Sequence, residues 1–285
     1  MRGPRVVVGV DGSPLSMAGV RRGARVASAR GMTLHLLHAF APDLPMLGFG
    51  ALADDSVVTT HTQRLLTEAT AHAHAVDPAL PVTTASRDGY ASQALVDASR
   101  TAALVVVGAM GYGVLSRASV GAVAMQVVTH ARCPVLVVGH EGADEPGLDR
   151  IVVGVDGSKP SLRALAVAFD EAVLTDASLD VVHAWEPRSA SDPTLASDSS
   201  WSAYESDLEH RVEAALAGRR AEHPEVKVDY EVVREEPVRA LVERSRGAAL
   251  TVVGSRGAGG FHGLHVGSTA LRVMGRSQSP ILFTR

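Results

Sequence analysis

Two stretches of this chain carry glycines at a spacing suited to wrapping an anion. The first is Val106–Val123, VVGAMGYGVLSRASVGAV, with Gly108-x2-Gly111-x9-Gly121. The second is Val252–Thr269, VVGSRGAGGFHGLHVGST, with Gly254-x2-Gly257-x9-Gly267-Ser268. Glycine tolerates positive φ and has no Cβ, so backbone N–H groups can converge on a ligand. Each loop opens into a segment of helical spacing, whose N-terminus adds partial positive charge. The chemistry predicted is the binding of a phosphate chain; a flexible connection is the plainer alternative for either loop alone. A carboxylate accompanies each loop. Asp11 and Asp156 end matching valine-rich runs, VVVGVDGS at Val6–Ser13 and IVVGVDGS at Ile151–Ser158.

The matches extend along the whole chain. LLHAF at Leu36–Phe40 recurs as VVHAW at Val181–Trp185, displaced by 145 residues. CPVLVV at Cys133–Val138 recurs as SPILFT at Ser279–Thr284, displaced by 146. One residue is gained between the second and fourth strands, and two tandem copies of one domain are expected. The domains are read as residues 1–140 and 149–285. The acidic, Gly- and Pro-broken stretch Glu141–Leu148 is read as the linker.

Within each copy, strand and helix patterns alternate. Val6–Val10 reads as a strand covered on both faces, and Asp11-Gly12-Ser13-Pro14 as a turn into a helix capped by Ser13 or Ser16. That helix runs to about Ala29, with Gly31 as its stop. Thr33–Phe40, Val82–Arg87, Ala103–Val107 and Val135–Val138 are the further strands. Helices are expected over Thr59–Val76, around Gln93–Arg100 and over Val120–His130. Ala41–Val58 and the Ser- and Asp-rich Glu186–Ser202 read as loops, and a charged helix follows from Tyr204 to about Ala221. This order predicts α/β domains with parallel, doubly wound sheets, whose ligands sit beyond the carboxyl ends of the strands where strand order reverses.

Composition narrows the function. The chain has 285 residues, 46% hydrophobic but 4% aromatic, so Val, Leu and Ala must fill the cores. A net charge of −4 argues against a nucleic-acid surface. The one cysteine, Cys133, suits a reducing cytoplasm. No apolar run approaches the ~18 residues needed to span a membrane, and the start MRGPRVVVGVDGS does not read as a secretory signal.

Both halves resemble universal stress protein domains of the subgroup whose G-x2-G-x9-G-[S/T] loop binds ATP. The resemblance implies five strands in the order 3-2-1-4-5 and a nucleotide site in each half. It puts Asp11 beside the nucleoside, Ala39 near adenine, and Gly108, Gly111, Gly121, Ala122 and Val123 around the phosphates. In the second half these are Asp156, Ala184, Gly254, Gly257, Gly267, Ser268 and Thr269. It further implies a cytoplasmic stress-response protein that binds ATP, with or without Mg2+, as a regulatory module. Family members dimerise through the fifth strand, so the tandem chain is expected to pack as a pseudo-dimer and to allow a homodimer. The first copy departs from the pattern: Ala122 replaces a hydroxyl residue, Met110 stands where the second has Arg256, and Val114 where it has Gly260. The C-terminal site is therefore expected to be the better formed.

Other constellations are weaker. There is no G-x4-G-K-[S/T], and the lysines, Lys159 and Lys227, lie outside the glycine loops. The dinucleotide fingerprint fails at Ser116 and His262. His72 and His74 point to different sides of a helix. His262 and His265 read as solvated loop residues, and His38 and His183 as structural. No catalytic or metal-ligating set is expected. A slow ATPase or phosphotransferase using Asp11 or Asp156 near Mg2+, and a nucleotide-free scaffold, stand as alternatives.

Overall fold

The computed structural model describes residues 3–40, 55–111, 120–139, 149–185, 198–255 and 266–285, without the side chains of 55–57, 198–201 and 204. The linker reading at 141–148 lies outside them. The chain separates into two compact units, Met1–Asp144 and Glu145–Arg285.

The first unit holds β1 (Arg5–Gly9), α1 (Pro14–Ala29), β2 (Thr33–Phe40), α2 (Asp55–Val76), β3 (Val82–Asp88), α3 (Ala91–Ala98), β4 (Leu104–Gly108), α4 (Ala122–His130) and β5 (Val135–Val138). All its strand pairs are parallel, in the order 3-2-1-4-5. Val6, Val7 and Val8 of β1 are fully buried, because helices cover both faces. Val8 faces α1, where Gly23 lets the helix come so close that an added Cβ would lie 2.6 Å from its Cγ2. Its neighbour Gly9 faces the other way, 3.0 Å from Leu95 Cδ1 of α3 by the same measure.

The second unit repeats the plan with β6 (Arg150–Gly154), α5 (Lys159–Thr175), β7 (Ser178–Ala184), α6 (Asp198–Glu222), β8 (Val228–Val233), α7 (Pro237–Arg244), β9 (Leu250–Gly254), α8 (Ser268–Met274) and β10 (Ile281–Thr284). Its strands run parallel in the order β8-β7-β6-β9-β10. The gained residue falls between the second and third strands: Leu34 pairs with Val82 and Leu179 with Val228, so the offset passes from 145 to 146 there.

Two helices begin earlier than the sequence suggests. α2 starts at Asp55, inside the expected loop 41–58, and α6 at Asp198, inside the expected loop 186–202. Both starts are rich in Ser and Asp, which compete for backbone hydrogen bonds and obscure helical patterning.

Candidate functional site

The strand order reverses between β1 and β4, and there the two landmark motifs meet. Asp11 sits in the turn between β1 and α1, where Gly12 adopts φ 84°. Its Oδ1 accepts hydrogen bonds from the Ser13 N–H (2.9 Å) and the Ser13 hydroxyl (2.6 Å). Ser13 is the helix cap, accepting from the Ser16 N–H at 3.2 Å. The Ser16 hydroxyl accepts in turn from the Asp11 N–H at 3.4 Å. The carboxylate is thus held by one oxygen, and Oδ2 is directed at Gly111: a Cβ built on that glycine would come closer to Oδ2 than real Cβ atoms do.

His38 holds the other side of the turn. Its Nδ1 lies 2.8 Å from the Val10 carbonyl. A carbonyl can only accept, so Nδ1 carries the proton. Expected to be structural, this histidine anchors the residue immediately before Asp11.

The glycine loop is closed at its base. The Gly121 N–H donates to Ala109 O at 2.7 Å, and Gly121 caps α4 from an extended conformation with no side-chain bond. The N–H groups of Ala122, Val123 and Ala124 then lie in the first turn, without acceptors inside the helix. Gly108 is needed where β4 passes the start of α1; a Cβ there would lie 3.2 Å from the Ser16 backbone N.

These groups enclose a cavity of about 320 Å³. The first half's expected residues, Asp11, Ala39, Gly108, Gly111, Gly121, Ala122 and Val123, all line it. Sequence reasoning missed Ser16, Leu37, Ala91 and Leu95, which line it too. The available signal was the i, i+4 pair Ala91 and Leu95, facing a strand that ends in glycine. The floor is apolar, the one carboxylate is Asp11, and residues 112–119 lie outside the described residues.

The second unit repeats the frame. Ser158 N–H donates to Asp156 Oδ1 at 3.0 Å, and Asp156 N–H to the Ser161 hydroxyl at 3.2 Å. Gly267 N–H donates to Ser255 O at 2.7 Å. Ser268 and Thr269 open α8, and Ala184 ends β7 beside Val233. Gly254 ends β9, and β6's Gly154 faces α7, where an added Cβ would lie 2.9 Å from Leu241 Cδ1. Gly257, with Arg256, Gly260, His262 and His265, lies outside the described residues. His183 Nδ1 donates to Val155 O at 2.9 Å. Burial holds its pKa below the usual histidine value, outweighing the Val155 carbonyl, Asp156 and Glu205, which act the other way.

Among the described residues no group of three His, Cys, Asp or Glu side chains could hold a metal ion. No described helix is long and apolar enough to cross a membrane.

A parallel doubly wound domain, present twice and in the first unit with a cavity at its switch point, defines a tandem α/β class only in outline; the comparisons with known proteins give the family. Residues 4–139 and 147–285 each match the universal stress protein family, and the chain belongs to it. A universal stress protein of Mycobacterium tuberculosis is 35% identical over 299 aligned positions, covering 98% of this chain and 96% of the relative. The crystal structure of a universal stress protein from Archaeoglobus fulgidus shares the fold at a TM-score of 0.72 and 19% identity, over 99% of this chain and 96% of that one. A universal stress protein from Archaeoglobus fulgidus solved in complex with dAMP aligns with 48% of this chain and 99% of its own, at 23% identity and a TM-score of 0.37.

Proposed function

We propose that this chain is an ATP-binding regulatory module of the cytoplasm, with one nucleotide site in each unit and the C-terminal site the better formed. The observation that carries the reading is the first unit's cavity, where Asp11 Oδ2, the glycine backbone at Gly111 and the first turn of α4 converge. Its volume of about 320 Å³ falls at the lower end of small-ligand pockets, roughly 300–1,000 Å³. That suits a nucleoside on the apolar floor by Leu37, Ala39 and Leu95, with its phosphates reaching the amides of α4. The Gly111 position supports the fit, since any side chain there would fill the space against the carboxylate. In the second unit the same roles fall to Asp156, Ala184, Gly254, Gly257, Gly267, Ser268 and Thr269, with a hydroxyl at Ser268 that Ala122 lacks. Buried Cys133 agrees with a reducing compartment.

Positioned cation, metal ligand and nucleophile-orienting group are all needed for phosphoryl transfer, and nothing described favours turnover over retention. Calorimetric titration with ATP, with and without Mg2+, tests binding, and a steady-state assay tests hydrolysis. Tight binding without turnover supports the module. Absence of binding sinks the reading, and turnover abolished by Asp156→Asn replaces it with an enzyme.

A further inference from the structure

A second and larger cavity in the first unit, about 1070 Å³, lies between α3 and the side of β2 and β3 that faces it. Residues of alternate strand positions form its floor: Thr33, His35 and Leu37 on β2, with Thr83, Ala85 and Arg87 on β3. Arg5 stands at one end and Arg87 at the other, and Tyr90, 68% exposed, forms part of the wall. β3 is the edge strand of its unit, and most of its residues are exposed, so one side of the groove is open.

The second unit shows what this surface accommodates when it is filled by the chain itself. Strand register matches Arg5 to Arg150, His35 to Asp180, Ala85 to Glu231 and Arg87 to Val233. On the helix, Ala98 corresponds to Arg244, the last residue of α7. Arg150 binds Asp180 at 2.7 Å and the Arg244 and Arg246 carbonyls at 2.9 and 2.8 Å. Arg244 binds Glu231 at 2.7 Å and approaches Glu235 at 3.6 Å. The first unit keeps the arginine of β1 and has lost those acids: His35, Ala85 and Gly89 occupy the places of Asp180, Glu231 and Glu235. Arg5 is left with a 3.1 Å bond to the Thr101 hydroxyl. Arg87 makes no ion pair among the described residues. Two carboxylates also line the groove. Asp97 is engaged by Gln93 at 3.0 Å and by Arg100 at 3.6 Å, and Asp88 adjoins Arg87 at the upper end.

We propose that this groove binds an extended acidic peptide whose carboxylates pair with Arg5 and Arg87. Arg5 sits opposite Thr33 and Arg87 opposite Ala39, so the two lie six residues apart along β2, about 20 Å at ~3.3 Å per residue. No small dicarboxylate spans that distance, but a seven-residue extended segment with acids at both ends does. A groove of about 1070 Å³ spread over that length has a cross-section near 50 Å². One extended chain occupies about the same, a strand spacing of ~4.8 Å by a sheet spacing of ~10 Å. The guanidinium groups give charge-assisted, bidentate pairing, and Thr33, Thr83 and Gln93 supply hydrogen bonds along the way.

Fluorescence anisotropy on the full chain tests this with a labelled seven-residue peptide of alternating valine and threonine, glutamate at each end. Its control has glutamine at both ends. The acidic peptide is expected to bind at least tenfold tighter than the control and to lose at least tenfold with Arg87→Gln. The paired substitution Ala85→Glu with Ala98→Arg, which copies the second unit's own side chains into the groove, is expected to abolish binding. Should that variant fail to fold, Arg87→Gln and Arg5→Gln decide. Equal binding of the two peptides, displacement by equimolar glutarate, or no response to either arginine substitution would overturn the proposal. ATP affinity measured on the same variants is expected to stay unchanged, so groove and nucleotide cavity are judged separately.

Discussion

The first and second units are built on one set of backbone bonds and differ in what their side chains add. In both, an aspartate turn is held by serine donors, a histidine clasps the preceding carbonyl, and the glycine loop is tied at its base by a 2.7 Å bond. On this common frame the second unit carries its own ion pairs along α7, a hydroxyl at Ser268 and a more deeply buried histidine. The first has alanines or an open groove at the equivalent places. Turn and loop geometry therefore tolerates little change, while the surfaces around it have diverged. The units should respond alike to changes in the frame and differently to changes in the side chains.

The largest effect is expected from the frame. Gly111→Asp places a Cβ and a negative charge against Asp11 Oδ2. The new side chain fills the space beside the carboxylate and repels the phosphates, so ATP affinity at the first site should fall by about a hundredfold, ~2.7 kcal/mol. The circular dichroism spectrum should stay the same, because the substitution lies in a loop. Gly257→Asp is expected to do the same at the second site, so each variant leaves one site to be titrated alone. Unchanged affinity in either would mean that its loop is only a connector.

Titrating the two isolated sites sharpens the comparison. Ser268 can donate a charge-assisted hydrogen bond to phosphate, a kind worth about 1.5–3 kcal/mol, and Ala122 cannot. The second site should bind ATP about tenfold more tightly or better. Ala122→Ser should strengthen the first site and Ser268→Ala weaken the second. Equal affinities, or a tighter first site, would show that the backbone amides already do the binding.

How much of this was legible in the sequence differs between frame and surface. The repeats, the strand order and Asp11 with its glycines could be read because each depends on local chemistry: valine runs, turn residues and glycine spacing. The wall formed by Ala91 and Leu95 left only the faint signal of an i, i+4 pair, since packing against Gly9 is set by the approach of a helix distant in sequence. The arginine left without its acids was hidden for a similar reason. Its partners lie 30 and 94 or more residues away in the second unit, and only strand register shows which residues of the first unit stand in their places. His38 and His183 were read as structural, and they are, but the carbonyl each one holds was not legible, because a ring–carbonyl bond leaves no trace in spacing.

The histidines give a pH test. Burial lowers the His183 pKa below its ordinary 6.5 in the folded unit, so folding favours the neutral ring. Its contribution is fully present above that ordinary value and is lost as pH falls below it, where the unfolded chain takes up more protons. The second unit's thermal midpoint should therefore drop on acidification through pH ~6.5. His183→Gln should reduce that dependence, at a cost of about 1–3 kcal/mol for the buried Val155 carbonyl it leaves less well paired. An acid profile unchanged by the substitution would remove His183 from the account.

The smallest effect concerns the ion pairs. Arg244 is 22% exposed and Glu231 53%, so their 2.7 Å pair is partly screened. Exposed pairs contribute about 0.2–1 kcal/mol, and this one should fall near the middle of that range because the arginine is also held towards Glu235. A double-mutant cycle of Arg244→Ala and Glu231→Ala on the second unit measures it directly. The same cycle run forward in the first unit, with Ala98→Arg and Ala85→Glu, should return a coupling of similar size if register alone sets the geometry. Coupling in the second unit with none in the first would mean that the first unit's α3 stands further from its sheet edge. The open groove would then come from backbone placement and not from missing side chains. Coupling in both, weakened together by salt, would put the difference between the two faces in a few residues on one shared frame.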